Sequence, residues 1–146
     1  MKKSAPAAIP LSRKLITTII KKATELNEAI AQVLKEESLT TQQFNVLRIL
    51  RGRHGEPASL QDVSKDMLHS NSNTTRVVDK LVSKNYVDRI QSPEDRRQIE
   101  LTITDNGLEL LSRLDARVDQ IEALLTKNIS EIEMQELINK LHHINN

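Results

Sequence analysis

The chain contains no cysteine and no tryptophan, and its aromatic residues are one phenylalanine, Phe44, and one tyrosine, Tyr86. Without cysteine it has no disulfide bond, no thiolate metal site and no thiol-based redox chemistry. The apolar residues that remain for a core are mostly leucine, isoleucine and valine. Much of the chain spaces them as an α-helix does.

Long hydrophobic runs are also missing. No apolar segment approaches the roughly 20 residues that cross a bilayer. The N-terminal segment MKKSAPAAIPLSRK contains lysines but lacks the apolar stretch of a signal peptide. We therefore expect a cytoplasmic protein with no membrane partner. Its 146 residues are enough for one domain, or for one that completes its core with a second subunit.

The net charge is only +1, but the charges are unevenly distributed. Residues 43–97 carry ten Lys/Arg and seven Asp/Glu, a balance of +3. Residues 98–146 carry four and nine, a balance of −5. A basic centre beside an acidic C-terminal third is a first indication of a polyanionic partner.

Both ends of the chain have the pattern of long amphipathic helices. After a flexible tail over residues 1–10, apolar residues at intervals of three and four predict a helix from Leu11. A similar stripe after residue 105 consists of Leu108, Leu111, Leu114, Val118, Ile121, Leu124 and Leu125, and a last helix has Ile132, Leu137, Ile138, Leu141 and Ile144 on its apolar side. Such stripes need a covering surface. We expect residues 11–37 and 105–146 to form a dimerisation region across a two-fold axis, with an intrachain bundle as the alternative.

The region between them, residues 38–104, has the pattern of three short helices and a β-hairpin. Asn85 follows the third helix, where a residue in the left-handed conformation commonly ends a helix. Candidate N-caps are Thr40 or Thr41, Ser59 and Ser70. The predicted elements are helices over 41–52, 59–67 and 71–84, and strands over 86–91 and 99–103.

The third of these helices, SNSNTTRVVDKLVSKN, has two distinct sides. Its predicted buried side consists of Thr74, Val77, Val78, Leu81 and Val82. Its predicted exposed side consists of Ser72, Arg76, Asp79, Lys80 and Ser83, flanked by Asn73 and Thr75. A helix that enters a major groove has this arrangement, because short hydrogen-bonding residues at its start reach base edges. The alternative is a surface helix whose Ser, Asn and Thr only cap its start.

The hairpin segment QSPEDRRQIELTIT places a charge cluster between two predicted strands. Its alternating Ile-Glu-Leu-Thr-Ile run is typical of a strand with one buried face, so the turn projects Asp95, Arg96 and Arg97. Arginine suits a narrow minor groove, and Asp95 is spaced to hold the Arg97 side chain extended. The alternative is a solvated turn with an ordinary surface ion pair. A short helix, a turn, a second helix and this hairpin have the order of a winged helix-turn-helix.

The stretch TTRVVDKLVSKNYVDRIQSPEDRRQIELTITDNG resembles the core signature of the MarR family of winged helix-turn-helix regulators. The matching elements are Thr75 to Leu81, Lys84 to Val87, Asp95 with Arg97, and Ile103 to Gly107. The sequence departs from the family pattern at Asn85, where the family has glycine, and at Ile103, where it has leucine. Both departures are conservative in physical terms.

This resemblance implies a mainly α-helical fold with a small β-hairpin wing, an obligate homodimer, and a DNA-binding lobe over residues 38–104. It implies double-stranded DNA as partner, with the third helix in the major groove and Arg97 in the minor groove. It also implies a small aromatic or phenolic effector between the dimerisation helices and the lobe. By position, the predicted DNA contacts are Thr41, Gln42, Ser72, Asn73, Thr75, Arg76, Lys80, Asp95, Arg96 and Arg97. Phe44 and Leu47 are candidates for the effector site, with a core role as the alternative.

Two other functional classes differ from a DNA-binding regulator, namely an enzyme and a protein-interaction module. The adjacent His142 and His143 point to different sides of a helix, and no HExxH, Walker or GxSxG motif occurs. We therefore expect no enzyme, no cofactor and no metal. A winged-helix protein-interaction module without DNA binding is the other alternative, and the pair of Arg76 and Arg97 argues against it. The predicted function is a dimeric repressor that binds a pseudo-palindromic operator and responds to a small molecule.

Overall fold

The computed structural model describes residues 7–69 and 73–145. Within them the chain forms six α-helices and one antiparallel β-hairpin, and a short 3-10 turn joins the first two helices. The helices are α1 (Leu11–Leu34), α2 (Thr41–Gly52), α3 (Leu60–Asp66), α4 (Thr74–Ser83), α5 (Asp105–Thr126) and α6 (Glu131–His142). The strands are β1 (Val87–Gln91) and β2 (Ile99–Ile103). This is the mainly α-helical, winged architecture that the sequence predicts.

Three helices begin with a reciprocal capping box, in which a hydroxyl and a side chain three residues later each bond the other's backbone N–H. The pairs are Thr40 with Gln43, Ser59 with Asp62, and Ser130 with Glu133. The backbone N–H of Ser59 donates to Asp62 and lowers the pKa of that carboxyl, and Ser130 lowers the pKa of Glu133 in the same way. The predicted caps at Thr40 and Ser59 are therefore confirmed.

The start of α4 differs from the prediction. The helix begins at Thr74 rather than at residue 71, and Asn73 is its N-cap, accepting a 3.2 Å hydrogen bond from the backbone N–H of Arg76. The predicted cap Ser70 lies outside the described residues. Asn85, after the helix, has a φ of 64°, which confirms the predicted left-handed end.

The hairpin pairs Val87 with Ile103 at its base and Gln91 with Ile99 near its tip. The first strand begins one residue later than predicted, because the backbone N–H of Tyr86 donates to the carbonyl of Leu81 and closes the end of α4. The sequence did not predict that Ala58 joins the hairpin. Its N–H and C=O bond Leu101 at 3.0 Å and 2.8 Å, so the segment before α3 is anchored to the wing.

Aliphatic side chains from α2, α4, β2 and α5 form one core. On α5 the predicted stripe is partly wrong, because Leu108 is 38% exposed and Leu110, which the prediction left out, is fully buried. The buried side of α5 consists of Gly107, Leu110, Leu111, Leu114 and Val118. The buried residues recur every three or four positions, as in any amphipathic helix. Which side of α5 is buried depends on the elements that pack against it.

Gly107 lies where α5 approaches the start of the hairpin. A Cβ at this position would lie 2.5 Å from the carbonyl oxygen of Tyr86 and 2.7 Å from Cγ1 of Ile103. Only a residue without a side chain fits this approach. The glycine that ends the family-like motif therefore has a packing role.

The terminal helices leave many apolar side chains uncovered. Ile132, Leu137, Ile138 and Leu141 of α6 are 41% to 74% exposed, and no residue of α6 is buried. On α1, Leu34 is the one buried residue. The single chain therefore leaves apolar faces of α1 and α6 exposed. None of the helices within residues 7–69 and 73–145 is long and apolar enough to cross a membrane.

Candidate nucleic-acid interface

Helix α4 has one buried and one exposed face, as the helical wheel predicts. Thr74 is 8% exposed, and Val78 and Leu81 are fully buried. The exposed residues are Thr75, Arg76, Asp79, Lys80 and Ser83. Asn73 is exposed at the helix start, whereas Ser72 lies outside the described residues. The helix is therefore held by its inner face while its cations face solvent.

Long-range polar contacts fix the position of α4, and sequence reasoning missed all of them. The backbone N–H of Leu68, in the turn before α4, donates to Oδ1 of Asn45 on α2 at 2.8 Å. At the other end, Nζ of Lys84 donates to the carbonyl of Ser38 at 2.9 Å. Between these points the guanidinium of Arg89 on β1 pairs with Asp79. No local pattern predicts such contacts, because their partners lie 10 to 46 residues apart.

The turn of the wing is ordered by hydrogen bonds within it. The N–H of Ser92 donates to the carbonyl of Gln98, and the N–H of Gln98 donates to the carbonyl of Asp95, both at 2.9 Å. Asp95, Arg96 and Arg97 are exposed, as predicted. The predicted role of Asp95 was wrong in one respect. Its Oδ1 accepts from the backbone N–H of Arg97 at 3.0 Å, not from the guanidinium, because a short carboxylate reaches the main chain two residues on.

Arg97 lies beside the start of α3. Together with Gln98 and Ile99 it lines an open cleft of about 260 Å³, whose opposite wall is formed by Ser59, Leu60 and Gln61. The bonds between Ala58 and Leu101 hold these two walls together. The wing arginine and the helix-turn-helix are therefore parts of one continuous surface.

The two predicted contacts on α2, Thr41 and Gln42, are half-buried in its first turn. Both line an open groove of about 670 Å³, whose other residues include Glu28 and Gln32 of α1 and Lys35, which directly follows α1. Thr41 and Gln42 therefore share this groove with the end of α1. Their contact with DNA stays a prediction.

Comparison with known proteins agrees with this geometry. A sequence profile described as MarR family matches residues 39–99. The transcriptional regulator BilQ of Clostridioides difficile is 32% identical over 99 residues, which cover 68% of this chain and 65% of BilQ. The regulator SarZ of Staphylococcus haemolyticus is 26% identical over 134 residues, covering 92% and 88%. The chain belongs to the MarR family.

Solved structures extend this likeness over the whole MarR-family fold. A cysteine-to-serine mutant of Escherichia coli MarR complexed with operator DNA is 27% identical, with a TM-score of 0.77 and coverage of 94% of this chain and 95% of that one. A MarR-like regulator from Bacillus cereus shares the fold at 20% identity, with a TM-score of 0.82. The curated relatives are named as transcriptional regulators, not enzymes, which confirms the predicted non-enzymatic class.

The two effector-site candidates of this MarR-family chain are core residues. Phe44 is 5% exposed and Leu47 is fully buried. Phe44 also forms one wall of a cavity of about 120 Å³, to which Leu47 does not contribute. The cavity is lined by Asn27, Ile30, Thr41, Phe44, Asn45, Arg48, Leu68, His69 and Glu122. It therefore lies where α1, α2, α5 and the turn before α4 meet.

Arg48 connects this cavity to α5. Its guanidinium carbon lies 4.5 Å from the centre of the Phe44 ring, and its Nη2 lies 3.5 Å from Oδ1 of Asp115. Arg51, one turn along α2, pairs more closely with the same carboxylate. Burial alone would raise the pKa of Asp115, but the hydrogen bond and charge of Arg51, with those of Arg48, outweigh it and lower the pKa. The sequence pattern did not indicate this network.

Proposed function

We propose that this MarR-family regulator is a cytoplasmic homodimeric repressor that binds a pseudo-palindromic operator and is modulated by a small aromatic or phenolic molecule. The observation that carries the DNA-binding part is the placement of four cations. Arg76 and Lys80 lie on the outer face of α4, and Arg96 and Arg97 lie at the tip of the wing. None of the four makes an ion pair within residues 7–69 and 73–145. All four are therefore available to phosphate or base edges.

The proposed contacts divide between the two grooves. Helix α4 enters the major groove, where Asn73, Thr75 and Arg76 read base edges and Lys80 meets phosphate. The wing places Arg97 in the adjacent minor groove, where a guanidinium loses its water more readily than an ammonium. The operator complex of the related E. coli MarR supports DNA binding by a protein of this fold. A dimer on an operator that overlaps a promoter would exclude the polymerase, which is the repressor mode we propose.

A homodimer accounts for the uncovered apolar residues of α1 and α6. Exposed apolar stripes on two helices of one small chain are typical of a protein–protein interface. A two-fold partner would cover both with the same residues of a second chain. It would also set the spacing of the two α4 helices, which must be about 34 Å to enter successive major grooves.

The cavity beside Phe44 is the proposed effector site. Its walls come from α1 and α5, which belong to the proposed dimerisation region, and from the turn that leads into α4. An aromatic ligand would stack on apolar walls, and Arg48 supplies a cation for a phenolate or carboxylate. Such a ligand regulates only if it binds one spacing of the two lobes more tightly than another.

The test is a fluorescence anisotropy titration with duplexes selected by the parent protein from a randomised pool, repeated at several salt concentrations. DNA binding that depends on phosphate contacts weakens steeply as salt rises. Arg97→Ala should weaken binding to every selected duplex. Arg76→Ala should also reduce the preference for selected over random sequence.

The control is Lys127→Ala, which removes one exposed cation after α5 and should bind like the parent. If Arg97→Ala and Arg76→Ala also bind like the parent, the site assignment is wrong. If the parent binds no duplex even at low salt, the protein is a winged-helix interaction module instead.

A thermal-shift screen with phenolic and benzoate ligands tests the effector, and the absence of any shift would contradict ligand control.

A further inference from the structure

The proposed DNA-facing side of α4 includes an acid between its two cations. Arg76 lies three positions before Asp79, Lys80 follows it directly, and all three are exposed. Residues three apart lie on the same face of a helix. A face that brings Arg76 to base edges and Lys80 to a phosphate therefore also brings Asp79 close to the duplex. An unpaired carboxylate there would repel the phosphate oxygens.

Asp79 is paired, because Arg89 reaches it from the wing. Nη1 of Arg89 donates to Oδ1 of Asp79, and the two side chains are 30% and 52% exposed. In the hairpin register Arg89 stands opposite Leu101, which is fully buried. Directly opposed residues of an antiparallel pair share one face. Arg89 therefore leaves β1 on its inner face and turns its guanidinium to α4.

Arg76 and Lys80 do not pair with Asp79. Among the ion pairs of the described residues, the partner of Asp79 is Arg89, and neither neighbouring cation contacts the carboxylate. The backbone N–H of Arg76 donates to Oδ1 of Asn73, and this hydrogen bond does not involve the guanidinium of Arg76. The charges of Arg76 and Lys80 are therefore left for DNA, while that of Arg89 is used within the protein.

We infer that Arg89 is a positioning residue that neutralises Asp79, so that α4 presents a net positive face to the duplex without Arg89 itself contacting DNA. This inference rests on the proposed DNA binding. It differs from two other roles for the same arginine. A direct phosphate contact would act whether or not Asp79 is charged. A purely structural clamp would act through the orientation of the wing and would be lost from either side of the pair.

The experiment is a double-mutant cycle in the full-length protein, with operator affinity measured by anisotropy on one selected duplex. Arg89→Met keeps the apolar stem of the side chain and removes its charge. We expect it to weaken binding roughly 3- to 10-fold, the effect of one uncompensated charge near the phosphates. Asp79→Asn should bind as tightly as the parent or a few-fold more tightly. The double variant should return to within about 3-fold of the parent, because it has no carboxylate left to neutralise.

Two outcomes overturn the inference. If the double variant binds as weakly as Arg89→Met alone, Arg89 contacts DNA directly. If Asp79→Asn loses as much affinity as Arg89→Met, the pair is a structural clamp. Arg89→Lys keeps the charge and should retain most of the parental affinity, and a loss as large as that of Arg89→Met would also contradict neutralisation.

A salt titration and a charge control sharpen the result. Repulsion from an exposed carboxylate is screened by salt, so the ratio of the Arg89→Met to the parental dissociation constant should shrink as ionic strength rises. A ratio that stays constant indicates misorientation of the wing. Asp88→Asn, the same charge change on the opposite face of β1, should not restore the Arg89→Met variant. If the parent protein binds no duplex, the proposed function is refuted. If the parent binds but the double variant does not recover its affinity, only the role of Arg89 is refuted.

Discussion

The lobe and the terminal helices α1 and α6 contain the same types of aliphatic residue. The lobe buries these side chains, whereas the two helices leave many of them exposed. In the lobe, Val78, Leu81 and Leu101 are completely buried by neighbouring elements of the same chain. In α6, Leu137, Ile138 and Leu141 remain about half exposed. The core of the lobe is thus completed within one chain, with α5 and Leu34 of α1 contributing to it, whereas α1 and α6 have apolar faces that the chain does not cover. The comparison indicates that stability and assembly depend on different parts of the molecule.

The largest expected effect tests whether the core around the lobe is completed within one chain. Leu101→Ala removes a fully buried side chain from β2, at the position that pairs with β1 and with Ala58, and should lower the free energy of unfolding by about 2–5 kcal/mol. Urea denaturation followed by circular dichroism measures this. The control is Leu137→Ala, with both variants measured at concentrations below the dimer dissociation constant, where its exposed side chain should lower the free energy of unfolding much less. Equal losses at both positions would contradict the distinction between the two regions.

The next effect tests whether a second chain covers α6. Ile138→Asp places a charge on the exposed apolar side, and we expect the dimer dissociation constant to rise by at least about 100-fold, since burying an unpaired charge is costly. Sedimentation equilibrium measures this directly. Asn139→Asp adds the same charge at the next position, on the polar side of α6, and should leave association nearly unchanged. If the parent protein is monomeric at high concentration, no second chain covers α6 and the prediction fails.

The smallest effect concerns the junction between the two regions. Asp115 of α5 holds Arg48 and Arg51 of α2, and Asp115→Asn should lower stability by about 0.5–1 kcal/mol, the range of a partly exposed ion pair. Because the pKa of Asp115 is lowered in the folded chain, this stabilisation is fully present above its unfolded pKa of about 3.9. It is lost as the pH falls through the lowered folded value.

Thermal unfolding of the parent and of Asp115→Asn from pH 7 to pH 2.5 checks this dependence, with Asp119→Asn on the same helix as control. The difference between the parent and Asp115→Asn should narrow only below about pH 4. A difference that is unchanged down to pH 2.5, or an equal effect of Asp119→Asn, would show that the Asp115 network does not join the two regions.

Local chemistry made some elements predictable and left others ambiguous. The bounds of α2 and β2 follow from a Thr cap, from Gly52 at the end of the helix with Gly55 after it, and from a clean alternation of side chains. The start of α4 was misjudged because Ser70, Asn71, Ser72 and Asn73 are all good capping residues. Propensity does not choose among them, whereas packing of Thr74 against the core makes Asn73 the cap. For α5, the choice between Leu108 and Leu110 likewise depended on which neighbours the helix meets.

The sequence by itself determined the helical periodicity, the wing, the exposed arginines and the family, because these features depend on residue types at short, regular intervals. Only the tertiary structure decided that Asp95 bonds the backbone of Arg97, that Arg89 pairs with Asp79, and that Asp115 joins α5 to α2. The last two contacts join residues 10 and 64 positions apart. Their geometry arises when the core closes and brings distant segments together, so short-range patterns along the chain carry no record of it.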